Sequence, residues 1–291
     1  MDDDERDLDD SDSAAQPVFA AGLARGARPV FIPDWPDAPA VLRHLDRVLG
    51  AADIDELWHL HTSVMRDYGF DRLLYGVTRY LDEAEFINLD DTFILSNLPK
   101  RYLDIFFRQN LYRNAPMLLW ALNNSGCRSW RHVQEQYRNG EMPPAQMRVV
   151  DINRSFGITA GYTISFNDMA LRTKGAIGLC AQRDLTQDDV DRVWRLHGRD
   201  ILVINTLTHL RITSMPQCRS SRALTARQRE VLEWVGHGKT IQDIATIMGL
   251  TPGTIEKHLR LARRTLNVDS TPQALLKASL QNQIYTAPRQ P

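Results

Sequence analysis

The chain has 291 residues, 43% hydrophobic and 24% charged, and its 35 Lys and Arg against 36 Asp and Glu leave a formal net charge of −1. That length fits two domains, and the balance is that of a core-forming globular protein. It contains no apolar run of about 18 residues, so no membrane-spanning helix is expected. The start, "MDDDERDLDDSD", is acidic where a secretory signal is basic and then apolar. Cys127, Cys180 and Cys218 lie far apart without metal-ligand spacing. They read as thiols of a reducing compartment, and a cytoplasmic protein with no metal and no cofactor is expected.

The neutral total hides an asymmetry. Residues 1–218 hold 24 Lys and Arg against 31 Asp and Glu, whereas residues 219–291 hold 11 against 5. A small basic module attached to a larger acidic one points to an anionic partner for the C-terminal part.

In chain order, residues 1–36 lack periodicity and read as a disordered acidic leader. Amphipathic helices are expected over about 38–49 and 53–68. "LLYGVTRY" and "AEFINLDDTFIL" read as strands, followed by helices in "NLPKRYLDIFFRQNLY" and "APMLLWALNNSG". "GITAGYTISFND" and "KGAIGLCAQRD" read as a hairpin. One long helix follows from about 185, capped by Thr186. The resulting expectation is an α+β protein, with one domain over 37–210 and a polar linker over 211–222.

Residues 223–287 divide into four short helices. Thr225 caps the first, Thr240 caps the second and Gly249 closes it; "LTP" makes the turn into "GTIEKHLRLARRTL". Two short helices around a glycine-containing turn are a helix-turn-helix signature. At about 100° per residue, Ile255, Leu259, Ala262 and Leu266 form one buried stripe. Lys257, Arg260 and Arg264 fall on the opposite face with no acid among them, the footprint of a helix that meets DNA. By chemistry Lys257 and Arg260 suit base edges, and Arg264 suits phosphate. Thr251, Thr254, Lys239 and Thr240, at helix starts, are further candidate phosphate contacts.

The stretch from Leu224 to Val268 resembles the DNA-binding domain of the LuxR family, with Thr225, Glu230, Val231, Leu232, Gly238, Ile244, Ala245, Leu250, Thr254, Ile255 and Leu266 among the matching positions. The resemblance implies a four-helix, all-α module that binds double-stranded DNA as a homodimer on a palindromic operator. Upstream, roughly 38–210 resembles the autoinducer-binding domain of the quorum-sensing LuxR subfamily. Pro116 and Trp130 stand at that family's proline and tryptophan, and Gly161 also fits. This implies an α-β-α sandwich with a mainly antiparallel sheet, holding a small-molecule signal such as an acyl-homoserine lactone.

The ligand-binding positions implied are Leu98, Tyr102, Phe106, Ala115, Leu118 and Trp130, with Tyr75 and Thr163 as possible polar compensators. Compensation is needed because the chain departs from the family. Tyr102 replaces a donating tryptophan, Phe106 stands for a tyrosine, Ala115 for an aspartate and Gly178 for a polar residue. A buried ligand amide left unpaired costs about 1–3 kcal/mol. Two regulators therefore remain open: one sensing an acyl-homoserine lactone, and an orphan that answers another ligand or none. No nucleophile–base pair or phosphate-cradling glycine loop suggests an enzyme or a catalytic residue.

Overall fold

The computed structural model describes residues 39–78, 89, 91–167, 173–216 and 223–285. The expected leader and residues 217–222 of the expected linker lie outside the described residues. So does most of "AEFINL" before the second strand.

A five-stranded sheet organises the first part, with order β2-β1-β5-β4-β3 and every neighbouring pair antiparallel. The strands are β1 (Phe70–Thr78), β2 (Thr92–Ser96), β3 (Gly126–Ser129), β4 (Gly161–Ser165) and β5 (Lys174–Ala181). The expected β4–β5 hairpin is present. Side chains of a strand alternate between faces, and β1 shows how this divides the domain. Leu73, Tyr75 and Val77 enter a core with α1 (Ala40–Gly50), α2 (Ile54–Asp67) and α7 (Gln187–Ser214). Leu74 turns to the other face, toward α3 (Lys100–Arg108), a 3₁₀ turn (Leu111–Asn114), α4 (Pro116–Asn123) and α6 (Pro144–Ser155). Helices cover both faces of the sheet, which makes the α-β-α sandwich.

Local chemistry explains the main boundaries. The side chain of Thr186 accepts from the backbone N–H of Asp189, whose carboxylate accepts in return from the Thr186 N–H, so α7 starts at a capping box. Asp53 caps α2 through the N–H of Glu56. Helix α7 runs through Ser214, four residues beyond the expected end of the domain. Three elements had no counterpart in the sequence reading: α5 (Arg131–Arg138), α6 and the short edge strand β3.

The C-terminal part is all helical: α8 (Ala226–Gly236), α9 (Ile241–Met248), α10 (Pro252–Leu266) and α11 (Thr271–Leu280). It has its own core of Val231, Leu232, Ile244, Ala245, Ile255, Leu259, Ala262, Leu266, Ala274 and Ala278. Thr225, Thr240 and Ser270 each close a capping box.

Candidate ligand pocket and nucleic-acid interface

A cavity of about 610 Å³ lies between the sheet and the α3–α6 layer. All eight residues expected to meet a ligand line it: Tyr75, Leu98, Tyr102, Phe106, Ala115, Leu118, Trp130 and Thr163. A cavity of this size with mostly apolar walls and a few polar groups suits a small organic ligand.

Helix α3 supplies the aromatic wall, because Tyr102 and Phe106 are four residues apart and share a face. Their rings stack with centroids 5.5 Å apart, and Phe156 meets Tyr102 edge-on at 5.4 Å. The Tyr102 hydroxyl donates to Asn153 Oδ1 on α6 at 2.9 Å. Burial raises the Tyr102 pKa above its ordinary value, so the phenol keeps its proton. Ala115 is buried at the N-cap position of α4, with Pro116 at the first helical position, where its missing N–H costs nothing. Ala115 offers the cavity only a methyl group.

The Trp130 indole lies against β4 and β5 of the sheet. Its indole Nε1 donates to Thr163 Oγ1 at 2.9 Å, and its backbone N–H donates to the Gly161 carbonyl. Thr163, Gly178 and Leu74 lie side by side across β4, β5 and β1. Gly178 leaves the floor open there: a Cβ would sit 3.8 Å from the Trp130 ring. At Gly161 the approach is closer, and a Cβ would fall 2.2 Å from the Leu179 carbonyl oxygen. A polar clamp fixes this wall. The buried Gln187 side chain bonds both the N–H and the C=O of Gly161 and donates to Asp191; Arg131, next to Trp130, pairs with Asp188 and Asp191.

Tyr75 differs from its neighbours in the set. It borders the cavity, but its hydroxyl bonds His209 Nδ1 at 2.8 Å within the opposite core. Asn153 was missed, since one asparagine in a helix without a clear apolar stripe carries no sequence signal.

In the helical part, Ile255, Leu259, Ala262 and Leu266 of α10 are all buried, as the phase argument required. Lys257, Arg260 and Arg264 are exposed on the other side. Gly249 ends α9 with φ +63°, a left-handed conformation that favours glycine, and the chain turns directly into α10. Thr251 caps α10, and its hydroxyl bonds that of Thr254 at 2.9 Å. Thr240 Oγ1 donates to Asp243 Oδ2 at 2.7 Å, so its proton is engaged in the cap. Lys239, Thr240 and Thr251 are exposed and Thr254 is half-buried. Arg263, flanking the basic face, donates to Thr271 instead.

A helix-turn-helix with an exposed cationic second helix, joined to a domain with a small-molecule cavity, defines a ligand-responsive DNA-binding regulator. Two family models match. Residues 53–212, over half of the chain, match the autoinducer binding domain. Residues 222–278 match the bacterial regulatory proteins of the LuxR family. The chain belongs to the LuxR family of autoinducer-binding transcriptional regulators. It is 23% identical over 236 residues to the transcriptional activator protein AnoR of Acinetobacter nosocomialis, covering 77% of this chain and 90% of that one. It is 23% identical over 193 residues to the transcriptional activator protein LuxR of Aliivibrio fischeri, covering 65% and 74%. Among solved structures it is similar to Escherichia coli SdiA, with 17% identity, a TM-score of 0.44, and 84% of this chain and 98% of that one covered.

Proposed function

We propose that this regulator acts in the cytoplasm as a homodimer that senses an acyl-homoserine lactone or a closely related autoinducer and binds a palindromic operator. The observation that carries the reading is the cavity of about 610 Å³ that all eight expected ligand residues line. Ligand completes the packing between the sheet and the α3–α6 layer. Because it binds the folded state, it adds stability that grows with its excess over the dissociation constant.

Each subunit presents α10 to the major groove. Lys257 and Arg260 meet base edges, while Arg264, Lys239, Thr240, Thr251 and Thr254 meet the phosphate backbone. Support comes from their exposure around one helix-turn-helix, with Thr254 only half-buried. For the homodimer, support comes from α7, where Leu196, Val203 and Leu210 are exposed by 78%, 43% and 57% at intervals of seven residues. That spacing puts them on one face of the helix, a seam that a second copy would cover.

The orphan reading draws on Phe106 and Ala115, which give a ligand no side-chain hydrogen bond. Thermal unfolding with homoserine lactones of increasing acyl length separates the two. The lactone reading expects at least one to raise the melting temperature by several degrees at saturating concentration. A protein that binds DNA well and is stabilised by none is an orphan regulator.

A further inference from the structure

The cations of the helical part divide into engaged and unpaired groups. Arg227 pairs with Glu230, Lys277 pairs with Asp91, and Arg263 donates to Thr271. Lys257, Arg260 and Arg264 are exposed and form no ion pair among the described residues. At 1.5 Å per residue they follow one another along α10 at intervals of about 4.5 and 6 Å. Like charges crowded on one face attract a counter-charge of similar spacing.

The chain carries such a counter-charge itself. Residues 2–12 hold eight Asp and Glu against one Arg. Fully extended, that stretch sets one carboxylate about every 5 Å. This is close to the interval of the α10 cations and to the 3.4 Å between phosphates along one DNA strand. Residues 13–38 connect it to Pro39, where the described structure starts, and can span at most about 90 Å. A compact chain of 291 residues has a radius of gyration of about 19 Å, so α10 is within reach. Exposed arginines of the other domain suit the segment less well: Arg108 lies 3.9 Å from Asp104, and Arg148 donates to Gln109.

We propose that the acidic segment 2–12 docks on the α10 face of its own chain and competes with DNA for Lys257, Arg260 and Arg264. Tethering gives the segment an effective concentration on the order of millimolar, so a weak contact is enough to lower DNA affinity. A competitor of this kind weakens binding to every duplex by the same factor. Weak nonspecific sites are released while a tight operator stays occupied. The inference rests on α10 being the DNA-facing helix and adds an internal competitor to it.

Two measurements on the full chain test it. A carbodiimide, which joins a carboxylate to a lysine amine, should link residues 2–12 to Lys257 or Lys239, as read by mass spectrometry. Excess duplex of mixed sequence, about 30 base pairs long, should suppress those links. Lys100, exposed in the other domain, is the internal control. Links chiefly to Lys100, or none to the helical part, overturn the proposal. In fluorescence anisotropy at about 50 mM salt, a variant with every Asp of residues 2–12 changed to Asn, together with Glu5→Gln, is compared with wild type. It should bind the same duplex about three- to thirtyfold more tightly, with the gap closing as salt rises toward about 300 mM. A tighter variant without the cross-links in wild type reflects repulsion at a distance and also overturns docking. Equal affinity overturns it and leaves the DNA reading intact, whereas binding by neither chain removes that reading and the proposal with it.

Discussion

Lys277 of α11 is buried in an ion pair with Asp91, the residue immediately before β2, with side-chain exposures of 6% and 16%. The helical part is thereby tied to the strand that borders the ligand cavity, since Leu89 and Thr92 line that cavity. Asn282, just after α11, adds a second tie by donating to the carbonyls of Thr213 and Met215 at the end of α7. Removing one member of a buried pair strands the other charge, at about 3–5 kcal/mol where the site stays dry. Asp91→Ala is expected to lower unfolding stability by up to that amount, less whatever is recovered when the two parts separate. The double variant Asp91→Leu/Lys277→Met should recover most of it. Urea titrations check this; a double variant no better than the single one would show that the loss is not electrostatic.

A backbone test follows from Gly161. The Cβ of Gly161→Ala would fall 2.2 Å from the Leu179 carbonyl and 3.0 Å from the Trp130 ring, so β4 must shift away from β5 and disturb the seat of Trp130. A loss of about 1–3 kcal/mol is expected from overpacking, together with weaker ligand binding because Trp130 lines the cavity. Gly178→Ala, with 3.8 Å to the same ring, should be far milder in chemical denaturation. Equal losses would contradict the close approach of Gly161 to the Leu179 carbonyl.

The basic face makes a prediction with two readouts. Lys257→Ala and Arg260→Ala should each weaken binding to the operator more than Arg108→Ala, whose side chain is 83% exposed in the other domain. Arg264→Ala should weaken binding to every duplex alike and reduce the slope of log affinity against log salt by about 0.9. Fluorescence anisotropy across a salt series separates the two patterns.

Much of this face was legible in the sequence, because four apolar residues repeating at helical spacing fix the phase of α10 and so fix what faces out. Gly249 was legible for the same kind of reason, since a left-handed C-cap has few suitable residues. The cavity was legible less directly. Tyr75 alternates with Leu74 along β1, and period-two alternation sends its hydroxyl to His209 in the opposite core. Asn153 was illegible: α6 buries two adjacent valines, Val149 and Val150, with no stripe to orient its neighbours. Strand β3 has four residues, mostly exposed, and exists only because it pairs with β4.

Acid should act through His61. The imidazole is fully buried in the core of α2 and α7, where Asn205 Oδ1 can only accept, so Nε2 carries the hydrogen and Nδ1 accepts from Thr208. Burial, reinforced by nearby His44, lowers its pKa from 6.5 to about 3. The unfolded chain binds a proton below pH 6.5 and the folded chain does not until about pH 3, so stability is lost as pH falls through that window. The expected slope from this residue is about 1.4 kcal/mol per pH unit. Urea unfolding at pH 7 and pH 5 should show the loss in wild type and a smaller one in His61→Gln. The same pH dependence in both would place the titration elsewhere.

A small molecule that occupies the space between the sheet and α3–α6 should be excluded when a side chain fills that space. Calorimetric titration of N-octanoyl-homoserine lactone into wild type and into Ala115→Phe, run at several temperatures, gives affinity and heat capacity together. One site per chain is expected in wild type, with a negative heat-capacity change from apolar burial. Binding should be at least tenfold weaker in Ala115→Phe, with unchanged affinity for nonspecific duplex DNA. Equal affinity and equal heat in the two proteins would contradict a ligand in that space.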